Sequence, residues 1–429
     1  MPCEAIDAEA TLVDQTQTPV FNKRVNYWVL VASHLLVDIY PFFVFSLAAT
    51  LVASLRLSDA QITTVQAVSP IISGIVQPLF AWLGDKHNTR FFGAFGLCVG
   101  ALSIGSMGFA TEYWHLLVMQ FVGVAGVGMY HPIASAVAGT LGAEAMRNVR
   151  FVRSARGLGL SIFFTAGMLG GFTGPILASR VNSSLGLGWL WILIIPGVVG
   201  AVLLWLATRH IPHKPAVAHG DDEPSPVDDI PLGTRWYAIS LLFISNSLRF
   251  TVNVGLYKLY TLWAAARYEG SSETLIDSRG SDLLSATTIG MAISGLCLGS
   301  FVRPGREKWP IFLTGVLAVP VLLLMPHVGY WPMLALAVLS AVGHFSVIPL
   351  SIACAQRLLP HATGMVGSVL MGCGWVVSAS GPYLVMHIYD RYDDGLTLGF
   401  GALAVLLALS GVCGILLPSR VIRATSGVH

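Results

Sequence analysis

Charge is what this chain has least of. Charged residues make up 11% of its 429 residues, against about 25% in an ordinary soluble domain. That scarcity excludes a water-soluble globular protein. The net charge of +2 gives no field that would gather nucleic acid, so nucleic acid is not expected as a partner. Cysteine is sparse as well. Of six, Cys98, Cys297, Cys354, Cys373 and Cys413 fall in apolar runs and Cys3 lies near the start. None has metal-type spacing or suggests an extracellular disulfide frame, so no cysteine metal centre is expected. The N-terminus lacks a basic start before an apolar stretch. Its first 20 residues carry Glu4, Asp7, Glu9 and Asp14 but no Lys or Arg. A cleavable signal peptide is therefore not expected, and the N-terminus is expected in the cytosol.

What is present is apolar length. The chain is 55% hydrophobic with mean hydropathy +0.72. Runs of about 20 apolar residues span a bilayer as helices. Twelve are legible, at 25–53, 60–83, 91–110, 113–141, 157–180, 186–208, 236–264, 283–302, 309–328, 330–358, 362–388 and 396–418. With the N-terminus inside, 17 of the 24 Lys and Arg fall on the cytoplasmic side and 5 outside. This bias predicts an even number of spans with both termini cytoplasmic, in a cell (inner) membrane. The predicted fold class is an all-α integral membrane protein of twelve transmembrane helices, arranged as two pseudo-symmetric six-helix halves around a central cavity.

One segment interrupts the apolar rhythm. Residues 209–235 hold five prolines and two acidic clusters, the composition of a linker. The expected organisation is a cytoplasmic tail 1–24, a six-helix half 25–208, a cytoplasmic linker 209–235, a second half 236–418 and a tail 419–429. The polar stretch 265–282 reads as an external loop. The halves echo each other: span 4 carries GMYHPIASAVAG and span 10 carries GHFSVIPLSIACA. Repeated halves are a common transporter plan, with the site near mid-membrane between them.

The strongly polar residues within spans are few and periodic. Span 1 has His34 and Asp38, span 4 has His131, span 7 has Asn246, Arg249 and Asn253 with Tyr257 beyond, and span 10 has His344. Asp38 is the one acid in a span core. An ionisable group at membrane depth is costly and by default marks an ion or substrate pathway. His34 and Asp38, spaced i, i+4, share a helix face, as do Asn246, Arg249 and Asn253. Asp38, relayed by His34, is the expected proton-coupling site. His131, Asn246, Arg249, Asn253, Tyr257 and His344 are the expected substrate lining, with Asp38 or a substrate anion as the counter-ion of Arg249.

The chain resembles the major facilitator superfamily. The loop QPLFAWLGDKHNTR, Gln77 to Arg90, is similar to its G-x-x-x-D-R/K-x-G-R-K/R signature. Asp85, Lys86 and Arg90 match; Ala81 and Asn88 depart from its glycines. The resemblance implies that these three residues latch a cytoplasmic gate. Gly170, Gly174 and Pro175 match G-x-x-x-G-P of the antiporter signature. Met119 stands where many drug/proton antiporters have an Arg. A narrower likeness is to the fosmidomycin-resistance-like branch. It rests on H-x-x-x-D at His34 and Asp38, on Gly128, Tyr130, His131 and Pro132, and on Ala355, Gln356, Leu358, Leu359 and Pro360.

What this likeness implies is a proton-driven antiporter exporting small compounds. With the polar lining above, the expected function is export of a small anionic or drug-like compound by alternating access, by a monomer partnered by lipid and protons, with no cofactor expected. Proton-coupled uptake of an organic anion is the alternative. A membrane enzyme with His34, Asp38, His131 and His344 as metal ligands is a remote one, since no dense His/Asp motif supports it.

Overall fold

The computed structural model describes residues 21–86, 91–147, 155–211, 229–302, 305–359, 366–367 and 369–424. Among these residues every regular element is helical. Ten helical segments are long and apolar enough to cross a membrane. The two other expected spans fall on a broken helix at the start of the chain and on a long helix, Glu273–Phe301. The order of elements therefore follows the twelve apolar runs. Most of the 209–235 linker and both distal tails lie outside the described residues.

The first span breaks where a proline stands. Helix α1 (Lys23–Ile39) starts at Asn22, whose side chain accepts from the Val25 amide at 3.0 Å. It stops two residues before Pro41, which has no amide to continue the ladder. A short α2 (Phe43–Ser46) and α3 (Ala48–Leu55) complete the run. Then come α4 (Asp59–Lys86), α5 (Phe92–Gly105), α6 (Tyr113–Ala145), α7 (Ala155–Leu185) and α8 (Ile194–Thr208). After the linker follow α9 (Leu232–Arg267), α10 (Glu273–Phe301), α11 (Lys308–Leu317), α12 (Val319–Leu324), α13 (Tyr330–His344), α14 (Ile348–Leu358), a π-turn at Val369–Cys373, α15 (Gly374–Ser378), α16 (Ser380–Arg391), α17 (Gly395–Leu416) and α18 (Ser419–Ala424). Span 10, expected continuous over 330–358, divides after His344, and Pro349 sits in the first turn of α14.

Helices before the linker pack chiefly on one another: α1 on α6, α7 and α8, and α6 on α4, α5 and α7. Those after it do likewise around α9 and α17. The two sets meet along α7 with α10 and along α4 with α15 and the π-turn.

The α1–α7 seam positions the site. Gly167, Gly170 and Gly174 recur at i, i+3, i+7, so they form one bare stripe on α7. A Cβ at Gly170 or Gly174 would collide with the backbone carbonyl of Leu35 or Ile39 on α1. Without side chains here the two backbones approach closely, the usual role of small residues between membrane helices. The expected antiporter-like motif, Gly170 and Gly174, is thus physically this seam.

At the end of the bundle remote from the start of α1, the two sets are tied by a cap supplied across the interface. Leu47, at the N-terminus of α3, has no side-chain oxygen to receive its free amides. Asp277 of α10 supplies both: Oδ1 accepts from Ala49 at 2.8 Å and Oδ2 from Thr50 at 3.0 Å. A carboxylate on the amides of a helix N-terminus gains from both hydrogen bonding and the helix dipole. The Ser281 hydroxyl donates to the Ser46 carbonyl at 3.2 Å, and that of Ser285 to Phe172 at 2.8 Å. Residues 265–282, expected as a loop, are therefore helical from Glu273. Ser272 caps the helix by accepting from Leu275.

Candidate functional site

His34, Asp38 and His131 form one cluster between α1, α6 and α7. His34 Nε2 lies 3.4 Å from Asp38 Oδ2, and His131 Nε2 lies 3.2 Å from Asp38 Oδ1. One carboxylate thus faces two imidazoles, one on each oxygen. His34 is 2% exposed, whereas the side chains of Asp38 and His131 keep 14% and 25%. The cluster is closed behind His34 and open beside His131. The ring of Phe163 stacks on His34 at 3.9 Å between centroids. Gly167 leaves room for the pair: a Cβ there would stand 2.5 Å from Asp38 Oδ2 and 2.7 Å from His34 Nε2. Next to it, the Ser33 hydroxyl donates to Leu30 at 2.7 Å and pairs with the Tyr130 hydroxyl at 2.8 Å.

Hydrogen bonding assigns the ring protons. His34 Nδ1 lies 2.7 Å from the Phe163 carbonyl oxygen, and His131 Nδ1 2.8 Å from that of Val127. A carbonyl only accepts, so both Nδ1 atoms donate. In neutral imidazole the other nitrogen is then a bare acceptor. Both bare Nε2 atoms face carboxylate oxygens, which also only accept. Two acceptors at such distances repel unless a proton lies between them. The arrangement can therefore hold a proton shared between the carboxylate and a ring nitrogen.

The other expected site residues lie elsewhere. Arg249 does not pair with Asp38, and among the described residues no carboxylate forms an ion pair with it. It is wholly buried in the second set, where its guanidinium donates to the carbonyls of Ile311 and Gly343 and to the Thr314 hydroxyl. Gly343 belongs to the last turn of α13, whose carbonyls have no partner within the helix. Arg249 caps that end, where a cation also meets the favourable pole of the helix dipole. Asn246, Asn253 and His344 are likewise 0% exposed. Tyr257, 2% exposed, packs edge-on against Phe42 and Phe45 beside the α1 break, with centroids 5.5 and 5.6 Å away. The polar face of span 7 therefore turns into helix packing rather than toward Asp38. Pro175 is buried in α7. The side chains of Asp85 and Lys86 and the whole of Arg90 lie outside the described residues.

Sequence reasoning missed two residues. Gly167 was within reach, because it extends the Gly170–Gly174 spacing by one turn toward Asp38. Asp277 was hidden by its apparent place in a loop.

The bundle of membrane-spanning helices thus holds a His–Asp–His cluster on its first and fourth spans, packed against its fifth. Residues 30–382 match the family model of the Major Facilitator Superfamily, and the chain belongs to that superfamily. It is 23% identical over 409 residues to the fosmidomycin resistance protein of Escherichia coli (strain K12), covering 92% of this chain and 94% of that one. It is 30% identical over 215 residues to protein spinster homolog 1 of Homo sapiens, which covers 49% of this chain and 39% of that protein. A crystal structure of a bacterial homologue of the human lysosomal transporter Spinster, inward-facing and unoccupied, shares the fold. Its TM-score is 0.70 at 16% identity, over 95% of this chain and 98% of that one.

Proposed function

We propose that the chain is a proton-coupled antiporter of the cell's inner membrane, acting as a monomer and exporting a small compound by alternating access. The observation that carries this reading is the Asp38 carboxylate with an imidazole nitrogen facing each of its oxygens. Two imidazoles, each locked with its proton on Nδ1, share one carboxylate that cannot bond to either without a further proton. Opening of the cluster on the His131 side gives that proton, or a competing substrate, a way in. The anionic preference expected for the substrate rested on Arg249; as a helix cap engaged by Ile311, Thr314 and Gly343 it does not supply that preference. Asn246, Asn253, Tyr257 and His344 act in this reading as supports of the second set. The similarity to a fosmidomycin resistance protein makes fosmidomycin the first compound to try.

The test is proton movement in proteoliposomes loaded with a pH-sensitive dye. Fosmidomycin, phosphonates and hydrophobic drugs are added in turn. A transported compound is expected to shift internal pH, and an imposed pH gradient to drive its accumulation. A compound that raises the chain's thermal stability and crosses without moving protons overturns the proposal.

In this cycle Asp277 holds the outer end shut. Burial pushes its carboxyl up to about 6 from 3.8, with Glu273 adding to the rise; the Thr50 side chain and the Ala49 and Thr50 amides pull it back. Once the end opens, the carboxyl meets water and regains its ordinary value. The closed form then binds the proton more tightly, so closure strengthens as external pH falls from about 6 toward 4 and is pH-independent above. Spin-label distances between α3 and α10 across pH 4 to 8 check this. Asp277→Asn keeps an acceptor for only one of the two amides, so it is expected to weaken the closed end and lose the pH dependence.

A further inference from the structure

We propose that Nε2 of His34, Nε2 of His131 and the Asp38 carboxylate also form a binding site for one divalent transition-metal ion of the Zn2+ class. The proposal uses the side chains assigned above to proton coupling but does not depend on that assignment.

The donor set is a metal set by type and by convergence. Two imidazole nitrogens and one carboxylate oxygen lie within 4.8 Å of one another. Three protein ligands with a fourth position open is the usual arrangement of a non-structural Zn2+ site. Imidazole donors favour Zn2+, Co2+ or Ni2+ over Mg2+ or Ca2+, which prefer all-oxygen shells. Each Nε2 lies 3.2 or 3.4 Å from a different oxygen of the one carboxylate, so an ion seated among them is met by both rings and by Asp38.

The surroundings are those a metal site needs. Metal-bound imidazoles almost always donate their other N–H to a carbonyl or carboxylate, which fixes the tautomer and turns the lone pair inward. Both rings do this, His34 onto Phe163 and His131 onto Val127. His34 is further held by the stacked Phe163 ring. His131, 25% exposed, has the freedom to close onto an ion, and its exposed side is the entry. His344, once a conceivable fourth ligand, is not part of the group. A bound ion takes the lone pairs that a proton would occupy, so the metal blocks proton exchange.

The test titrates Co2+ into the full chain, without an affinity tag and stripped by chelator, in detergent. One equivalent per chain is expected to give the intense visible ligand-field bands of low-coordinate Co2+, and Zn2+ is expected to bleach them. His131→Ala and Asp38→Asn are expected to lose the bands and at least tenfold in affinity. His387→Ala, which alters an exposed histidine, is expected to keep both. Zn2+ should raise the thermal midpoint of the parent chain and not that of His131→Ala, which shows that the variant is folded when measured. Absence of the bands, or bands that persist in both cluster variants, overturns the site. Proton flux is measured separately with chelator present. Intact flux without metal binding removes only this inference; metal binding with flux indifferent to Asp38→Asn removes only the transport reading.

Discussion

Asp38→Asn abolishes pH-gradient-driven accumulation in proteoliposomes while leaving exchange of substrate across the membrane in place. The expected loss is at least tenfold in the accumulation ratio, down to that of an uncoupled carrier. The reason is chemical. Asn has nearly the shape of Asp, and its amide NH2 can donate to the bare Nε2 of His34 or His131, much as a protonated Asp38 would. The variant therefore imitates the neutral, proton-loaded cluster permanently. It removes an acid from a partly buried place, so insertion and thermal stability should be preserved. What it cannot do is release the proton, and a cycle that must release one stalls or runs uncoupled. Accumulation unchanged from the parent chain would falsify the proton role of Asp38 and move the search to other groups.

The fold was legible because its determinant is crude. Apolar length needs no knowledge of packing, and the order of elements follows it. The breaks were less legible. Pro41 marks the first, but where a helix resumes depends on neighbours: α3 begins where Asp277, more than two hundred residues away in sequence, can reach its amides.

The site was half legible for the same kind of reason. His34 and Asp38 lie on one helix, and i, i+4 spacing places them together whatever surrounds that helix. His131 shares no helix with them; its meeting with Asp38 is set by how α6 turns against α1, which periodicity does not encode. Arg249 shows the opposite error. A buried cation needs electron-rich partners, and a sequence shows carboxylates far more plainly than unfilled carbonyls. The break after His344 freed the carbonyl of Gly343, and that is where the guanidinium went.

Two glycines three residues apart on α7 should fail in different ways. A Cβ at Gly167 meets side-chain atoms, Asp38 Oδ2 at 2.5 Å and His34 Nε2 at 2.7 Å. The Asp38 carboxylate retains some exposure and can rotate away, so the clash is relieved by taking the cluster apart. Gly167→Ala is therefore expected to cut proton-coupled transport at least tenfold with a small change in thermal midpoint, and to weaken Co2+ binding in parallel. A Cβ at Gly170 meets the Leu35 carbonyl, a backbone atom that cannot rotate aside. Gly170→Ala must push α1 from α7, and overpacking of that kind costs about 1–3 kcal/mol. Its primary effect is expected in stability, with a smaller loss of transport per folded molecule than in Gly167→Ala, because the added Cβ reaches only the Asp38 Cβ, at 3.0 Å, and not its carboxylate. Thermal unfolding in detergent and flux normalised to folded protein separate the two. Equal stability loss in both variants, with flux tracking it, would mean that Gly167 only spaces the helices and that the room it leaves beside His34 and Asp38 is incidental to transport.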